Sequence, residues 1–442
     1  MVITKISVKK LFGVFDHDIP FNAGGITIVI GENGLGKTVI LEATNAFFTE
    51  NFLFFRDLEF NRLFFYFEGG EIWEVSKHQS REKLTINVIR HFANKTTKLK
   101  HEKLAEISLE SESNERHREY LQHRRMMMMD AVRIDPRYLD YRRAREIISA
   151  SELYDDEFAA QILGRKDSRP DWYVAARRKI SIRLIETQRI ITAKERGGEA
   201  YINRVTKSAS ELAETIAEID KTASQVATEL DATYPNRLVA KLQKRTVDRV
   251  EDLNEALSKL DAQRKQLSSM GLLEGSQDAY ISRIEEDQKD LVSALKLYVD
   301  DSHKKLAPYD QISLKVELFK NIINKRFKHK TLEVDKRSGF VFRSTAKRDD
   351  KGNFQKIPTM KLSSGEQNEL ILFYELIFKS NQGDMIFIDE PEVSLHISWQ
   401  NKFIDDLKEI TSINRVSIVI ATHSPDIINE NWDLKVELKG VE

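Results

Sequence analysis

The chain has 442 residues, with 69 basic residues against 70 acidic ones and no cysteine. Near-neutrality leaves no overall field to recruit nucleic acid, so such a surface has to be local, and the missing cysteines exclude disulfides, thiolate zinc sites and cysteine nucleophiles. No apolar run approaches the ~20 residues that span a bilayer, and MVITKISVKK begins directly on strand-like alternation instead of a signal peptide, so the expectation is a soluble, cytoplasmic protein of two or three domains without membrane contact.

In chain order, ITIVI at 26 to 30 is short, β-branched and apolar, as a buried strand is, and VILEATNAFF at 39 to 48 carries apolar residues at helical spacing. Between them GENGLGKT fits the phosphate-loop pattern at Gly31, Gly36, Lys37 and Thr38. Glycines let backbone N–H groups turn inward around phosphates, and the helix N-terminus adds positive potential. Glu32, Asn33, Gly34, Leu35 and Val39 complete this expected ATP cradle. Lys37 should reach the β and γ phosphates, and the Thr38 hydroxyl should ligate Mg²⁺.

LFFYFEGG, EIWEVSK and KLTINVIRH at 63 to 91 read as consecutive antiparallel strands with a turn at Gly69 and Gly70. From 93 to 180 the pattern is polar or helical. Within it, Arg116–Arg145 holds nine arginines against four acidic residues, and four methionines at 126 to 129. A solvated surface, phosphate binding from nucleic acid, and docking of a partner protein are all open for it. ISIRLIETQR at 180 to 189 alternates again, a strand ending near Gln188.

Ile202, Val205, Ala209, Leu212, Ile216, Ile219, Ala223, Val226 and Leu230 are then spaced alternately by 3 and 4, a coiled-coil seam. TYPN at 233 to 236 should break the helix, after which Val250, Leu253, Leu257, Leu260 and Leu267 resume the spacing. The two runs could fold back as an antiparallel arm of about 50 Å, or pack as a globular bundle with a third run bearing Ile281, Ile284, Leu291 and Leu295.

After residue 330 strands return. KLSSGEQ at 361 to 367 is a second phosphate-type turn ahead of an apolar helix. MIFIDEPE at 385 to 392 is an apolar strand presenting Asp389 and Glu390 at its carboxyl end, where ligands of open α/β sheets sit. Asp389 should bind Mg²⁺ through its water shell, and Glu390 should orient and deprotonate the attacking water. SIVIATHSPDII at 417 to 428 repeats the design and puts His423 where it could touch a γ-phosphate.

Phosphate loop, LSSGE, strand-DE and strand-T-H together resemble the ATPase head of the ABC class, in the branch shared by SMC, RecF and OLD-type proteins. That resemblance implies an α/β fold in which a P-loop mixed sheet with an antiparallel β lobe is interrupted by an antiparallel coiled-coil or helical insertion. It also implies ATP hydrolysis with Mg²⁺ between the heads of two copies. Ser363, Ser364, Gly365 and Glu366 would complete a neighbour's site, Ser363 by its hydroxyl, Gly365 by its N–H and the helix from Glu366 by its dipole. Ser364 stands where many transporters have glycine. PEVSLH at 391 to 396 resembles the family's D-loop. Gln188 is the match to its metal-facing Q-loop glutamine, with Gln79 as a competitor.

The implied layout is 1–92 and 180–190 as head segments, 93–179 as a helical and basic insertion, 191–306 as the helical arm, and 307–442 as the rest of the head. LIETQR, the break in ELDATYPNRL, KLSSGEQNELILFYELIF and DEPEVSLHISWQ together further resemble ATPase subunits of bacterial anti-phage systems, of the Septu type and retron-associated relatives, with PARIS-type ATPases further off. This implies a homo-oligomer that controls a separate effector, a nuclease by expectation. OLD proteins continue into a nuclease domain, no second acidic cluster with nuclease spacing appears here, and no CxxC marks a zinc hook. Nuclease activity is therefore not expected in this chain. The alternative is a RecF-like or SMC-like DNA-repair ATPase that binds DNA directly, with Arg116–Arg145 as its track.

Overall fold

The computed structural model describes residues 1–80, 83–92, 102–108, 169–186, 204–243, 249–273, 284, 291–393 and 395–440. The chain forms two compact units, Met1–Ile202 with Lys379–Glu442, and Asn203–Phe378.

The first unit contains two sheets. One is antiparallel, with β1 (Ile3–Leu11), β2 (Phe15–Pro20), β4 (Arg62–Phe67), β5 (Glu71–Gln79), β6 (Lys83–Phe92) and β7 (Glu102–Ser108) in the order β2-β1-β4-β5-β6-β7. RLFFYF in β4 alternates buried with less buried positions, so one face of this sheet enters the core. The other sheet is parallel, with β3 (Ile26–Ile30), β8 (Ile182–Glu186), β12 (Met385–Asp389), β13 (Ser417–Ala421) and β14 (Lys435–Glu437) in the order β14-β3-β13-β12-β8. Four of the five residues in each of β3, β12 and β13 are buried, which is why these strands read as unbroken apolar runs. The expected mixture of strand directions is thus divided between two sheets.

Helix α1 (Lys37–Phe48) feeds a core shared with both sheets. Its Phe47, fully buried, lies 5.0 Å from the Phe65 ring of β4, 6.4 Å from Trp73 of β5 and 5.9 Å from Tyr173 of α2 (Asp171–Arg177). Phe387 of β12 and Val419 of β13 belong to the same core. Truncating one such phenylalanine to alanine costs ~3–5 kcal/mol, so α1, and with it the phosphate loop, is fixed by packing more than by its own propensity.

The second unit holds α3 (Arg204–Gln243), α4 (Val250–Ser269), α5 (Val292–Leu306), α6 (Asp310–Arg326), α7 (Ser364–Phe378) and a three-stranded antiparallel sheet of β9 (Lys330–Asp335), β10 (Gly339–Arg348) and β11 (Phe354–Ile357). Both apolar seams are found inside: Val205, Ala209, Leu212, Ile216 and Ala223 of α3 are buried, as are Val250, Leu253, Leu257, Leu260 and Leu267 of α4. Their main helical partner is α5, which packs against each of them. The bundle alternative describes this packing better than a two-helix arm. Ile284 is buried but Leu291 is exposed, and Ile202 and Ile281 lie outside the described residues.

The expected break at TYPN is absent, because α3 runs unbroken through Pro235. A proline inside a helix removes one N–H and crowds the preceding turn. Close by, Arg237 donates to Leu230 O at 2.7 Å while its guanidinium holds the Asp301 carboxylate of α5 at 2.7 Å, which ties the helix just beyond the proline to a neighbouring helix. The local signal carries nothing of this tertiary anchoring.

Gly339, at φ +71°, is required where β10 meets α3, since a Cβ there would sit 1.8 Å from Ala209 O. Strands expected at 26–30, 63–91, the start of 180–189, 385–389 and 417–421 are all present.

Candidate active site

The site begins with register. Along the parallel sheet Val29 pairs with Ala421, and Ala421 with Asp389, so the carboxyl ends of β3, β13 and β12 are level. The turns leaving these three strands therefore emerge at one edge, which is where parallel sheets bind ligands. Those turns carry the phosphate loop, the Thr422–His423 pair and the Asp389–Glu390 pair, from segments almost 400 residues apart.

After β3 the chain turns through Gly31–Gly36 into α1. Gly36 is left-handed at φ +88°, where any other residue is strained, and an added Cβ would lie 2.5 Å from Leu11 Cδ2 and push that side chain aside. No side chain caps α1 among the described residues, which leaves its first N–H groups available to an anion. Lys37 is 94 % buried, and its Nζ curls back to donate to Gly31 O at 2.6 Å and Glu32 O at 3.1 Å. Both hydrogen bonds from this ammonium go to neutral carbonyl oxygens, an arrangement in which a phosphate would add a charged acceptor.

Thr38 Oγ1 donates to Asp389 Oδ1 at 3.0 Å. Burial pushes the Asp389 carboxyl up to about 7; the Thr38 hydrogen bond and Lys37 oppose this, and the charges of Glu390 and Glu392 reinforce it. The donor set of hydroxyl and carboxylate oxygens suits a hard cation such as Mg²⁺, which keeps several waters and takes one or two protein ligands beside phosphate oxygens. Among the described residues, Thr38 and Asp389 are placed to hold such a cation. The residues therefore fit the cation.

Glu390 comes directly after β12 at φ +43°, a left-handed conformation that costs roughly 1–2 kcal/mol for a side chain with a Cβ. Its N–H donates to Ala421 O at 2.8 Å, which carries the strand pairing one residue further and holds Glu390 beside the β13 end. His423 Nδ1 lies 3.6 Å from Glu390 Oε1 and 3.1 Å from Glu392 Oε1.

The signature residues lie in the other unit. Ser363, Ser364 and Gly365 are exposed at the start of α7. Ser363 and Glu366 form a capping box: Ser363 N–H and Oγ donate to Glu366 Oε2 at 2.8 and 3.1 Å, and Glu366 N–H returns to Ser363 Oγ at 3.3 Å. Lys330 Nζ donates to both Glu366 oxygens at 2.6 and 2.7 Å. Burial alone would raise the Glu366 carboxyl, but Lys330 and the Ser363 N–H outweigh it and hold it below its ordinary value. Behind the turn, the buried Arg326–Glu369 pair at 2.7 Å ties α6 to α7.

The structure therefore brings Lys37, Thr38, Asp389, Glu390 and His423 together in one unit and sets Ser363–Glu366 in the other. Gln188, Arg116–Arg145 and Ser394 lie outside the described residues; Gln79 ends β5 and is exposed. Two residues escaped the sequence, and a third, Glu392, entered it only within the D-loop resemblance. Glu392 accepts from Thr422 Oγ1 at 2.8 Å and from His423 N–H at 3.1 Å, and its signal was an acid two places beyond Glu390. His17, buried on β2, donates from Nε2 to Leu35 O of the phosphate loop at 2.8 Å, and its burial lowers the imidazole below its ordinary value. Lys330, like His17, gave no signal, because each partner is remote in sequence.

The family model of the AAA ATPase domain matches residues 1–428. The chain belongs to that family. It is an ATPase by that membership, and ATP is the nucleotide the family implies. Among solved structures, the SMC head domain from Thermotoga maritima is similar at 11 % identity over 100 % of both chains, with a TM-score of 0.33. The Smc head domain with an extended coiled coil, bound to the C-terminal domain of ScpA and derived from Pyrococcus furiosus, is similar at 13 % identity over 97 % of this chain and 91 % of that one, with a TM-score of 0.32. No curated protein matches the chain. No described helix is long and apolar enough to cross a membrane.

Proposed function

We propose that this ATPase is of the ABC type and hydrolyses ATP in composite sites, each built from the phosphate-loop edge of one copy and the signature turn of another. The observation that supports it is the division just described: one sheet edge carries Lys37, Thr38, Asp389, Glu390 and His423, while the exposed Ser363–Gly365 turn opens α7 in a different unit. Backbone N–H groups of Glu32–Thr38 cradle the phosphates, and Lys37 leaves its carbonyl partners to neutralise the β and γ oxygens. Thr38 and Asp389 hold Mg²⁺, which when bound offsets phosphate charge. Glu390 takes the proton of the attacking water, a role worth ~10²–10⁴ in rate. His423 faces the γ-phosphate. Ser363 and Gly365 of the second copy donate to that phosphate and close the site against bulk water, which strengthens every charge contact inside.

We further propose that the assembled ATPase belongs to a bacterial anti-phage system and gates a separate effector, a nuclease by expectation. Support comes from the KLSSGEQNELILFYELIF and DEPEVSLHISWQ phrases. Co-expression with the product of the adjacent gene, followed by mass determination of the complex with and without ATP, tests this. A defined ATPase–effector stoichiometry is expected. A homo-oligomer that ignores the neighbour and instead binds DNA with a steep salt dependence would replace the reading with direct DNA binding.

A further inference from the structure

Glu392 sits on the single turn Pro391–Val393, and the mechanism above gives it no task. Its side chain is 7 % exposed. Its Oε1 gathers the Thr422 hydroxyl at 2.8 Å, the His423 N–H at 3.1 Å and the His423 Nδ1 at 3.1 Å, while its Oε2 is buried with no hydrogen-bond partner among the described residues. Thr422 is itself fully buried; its N–H donates to Val29 O of β3, and its hydroxyl also receives the Ser424 N–H at 3.0 Å. The carboxylate is therefore anchored to the sheet edge through Thr422, and His423 is the exposed member of the contact, with its side chain 49 % exposed.

Two carboxylate oxygens face one ring nitrogen, Glu392 Oε1 at 3.1 Å and Glu390 Oε1 at 3.6 Å. A bare Nδ1 lone pair would point at both negative charges, whereas an Nδ1–H is attracted by both. We propose that Glu392 is a positioning residue that keeps the His423 proton on Nδ1 and thereby presents Nε2 to the nucleotide. The inference rests on the reading of His423 as the phosphate-facing group. Nδ1 already carries a hydrogen, so the ring meets a phosphate oxygen at Nε2 only by taking a second proton there. Glu392 and Glu390 then flank the resulting cation, and Nε2–H donates to the phosphate. Glu392 thus links the turn after Glu390 to the turn after β13 and sets the angle at which His423 enters the site.

The test is spectroscopic first. In the nucleotide-free full chain with ¹⁵N-labelled histidine, long-range ¹H–¹⁵N spectra at about pH 8 separate the tautomers, and loss of the signal in H423A assigns His423. A proton on Nδ1, alone or with a second on Nε2, is the expected result; an Nε2–H ring with a bare Nδ1 overturns the proposal. E392A should shift His423 toward the Nε2–H form and lower kcat by about 10–100-fold, the usual range for a residue acting through a ligand-contacting side chain, with KM for ATP within about threefold. E392Q, which keeps the acceptor oxygen and the shape, should recover most of both and also controls for folding. Unchanged kcat in E392A, or equal loss in E392A and E392Q with no change of tautomer, refutes positioning and leaves Glu392 a packing residue. H423A separates this inference from the reading beneath it. If H423A turns over like the parent, the phosphate-facing role falls and takes the kinetic part with it, whereas an Nε2–H spectrum in the parent with H423A inactive overturns the positioning role alone.

Discussion

Asp389→Asn should stabilise the nucleotide-free protein while abolishing its turnover. The Asp389 carboxyl is pushed up to about 7 from an ordinary 3.8, chiefly by burial. The folded state therefore holds a proton that the unfolded chain has released between about pH 4 and pH 7, and stability falls as pH rises through that window. Below it the group costs nothing; above it the full penalty is present. Three units correspond to a ceiling of about 4 kcal/mol at 1.36 kcal/mol per unit. Partial access of water reduces this, and roughly 1–3 kcal/mol is expected, or about 2–10 °C in the melting temperature of a unit this size. Asparagine keeps the side-chain volume and an oxygen that accepts from Thr38 Oγ1, so little else changes. Thermal unfolding of both proteins by circular dichroism, without nucleotide or divalent cation, from about pH 5 to pH 8.5, reads the difference. The gain should grow with pH and level off above pH 7. A gain that does not vary with pH, or destabilisation at pH 8, would refute the claim that a buried, uncompensated carboxylate sits at this edge.

Lys37→Ala should abolish nucleotide binding in a calorimetric titration, because the loop loses the buried ammonium that now rests on Gly31 O and Glu32 O; unchanged affinity would remove the phosphate-loop assignment. Glu390→Gln should still bind ATP yet hydrolyse it at least ~10²-fold more slowly, and turnover within a few-fold of the parent would mean that another group takes the proton. Ser363→Arg should leave ATP binding to the single chain nearly intact but stop hydrolysis, and mixing it with Lys37→Ala should restore part of the activity, since one composite site of the mixed pair then carries neither change. Subunit exchange shown by tagged pull-down, with no recovery at any ratio, would exclude independent composite sites.

The chemistry-bearing turns were legible because each is local. A phosphate loop needs a strand, glycines and a helix start within about twenty residues, and the strand-DE and strand-T-H turns need fewer still, so GENGLGKT, MIFIDE and SIVIATH carried their own context. Period survived reading in part: the α4 seam is buried where the spacing put it, and the α3 seam is buried from Val205 to Ile216 and at Ala223, while Ile219, Val226 and Leu230 are only half-buried. Local chemistry failed at Pro235, where the helix continues unbroken beside Arg237, which reaches both Leu230 O and Asp301 on another helix.

What the sequence by itself determined is therefore the set of functional turns and the elements that hold them, because those depend on neighbours within a few residues. The tertiary structure alone decided which turns meet. Register along the parallel sheet levels Val29, Ala421 and Asp389, and so brings Thr38 within hydrogen-bonding distance of a carboxylate 351 residues away. The same closure buries Glu392 against Thr422 and His423, and His17 beneath the phosphate loop. The physical reason is desolvation. An isolated acid or histidine in a sequence is an ordinary surface residue, and only removal from water with a fixed partner gives it a shifted proton affinity or a set tautomer, a circumstance created by long-range packing and by nothing within reach of the local chain.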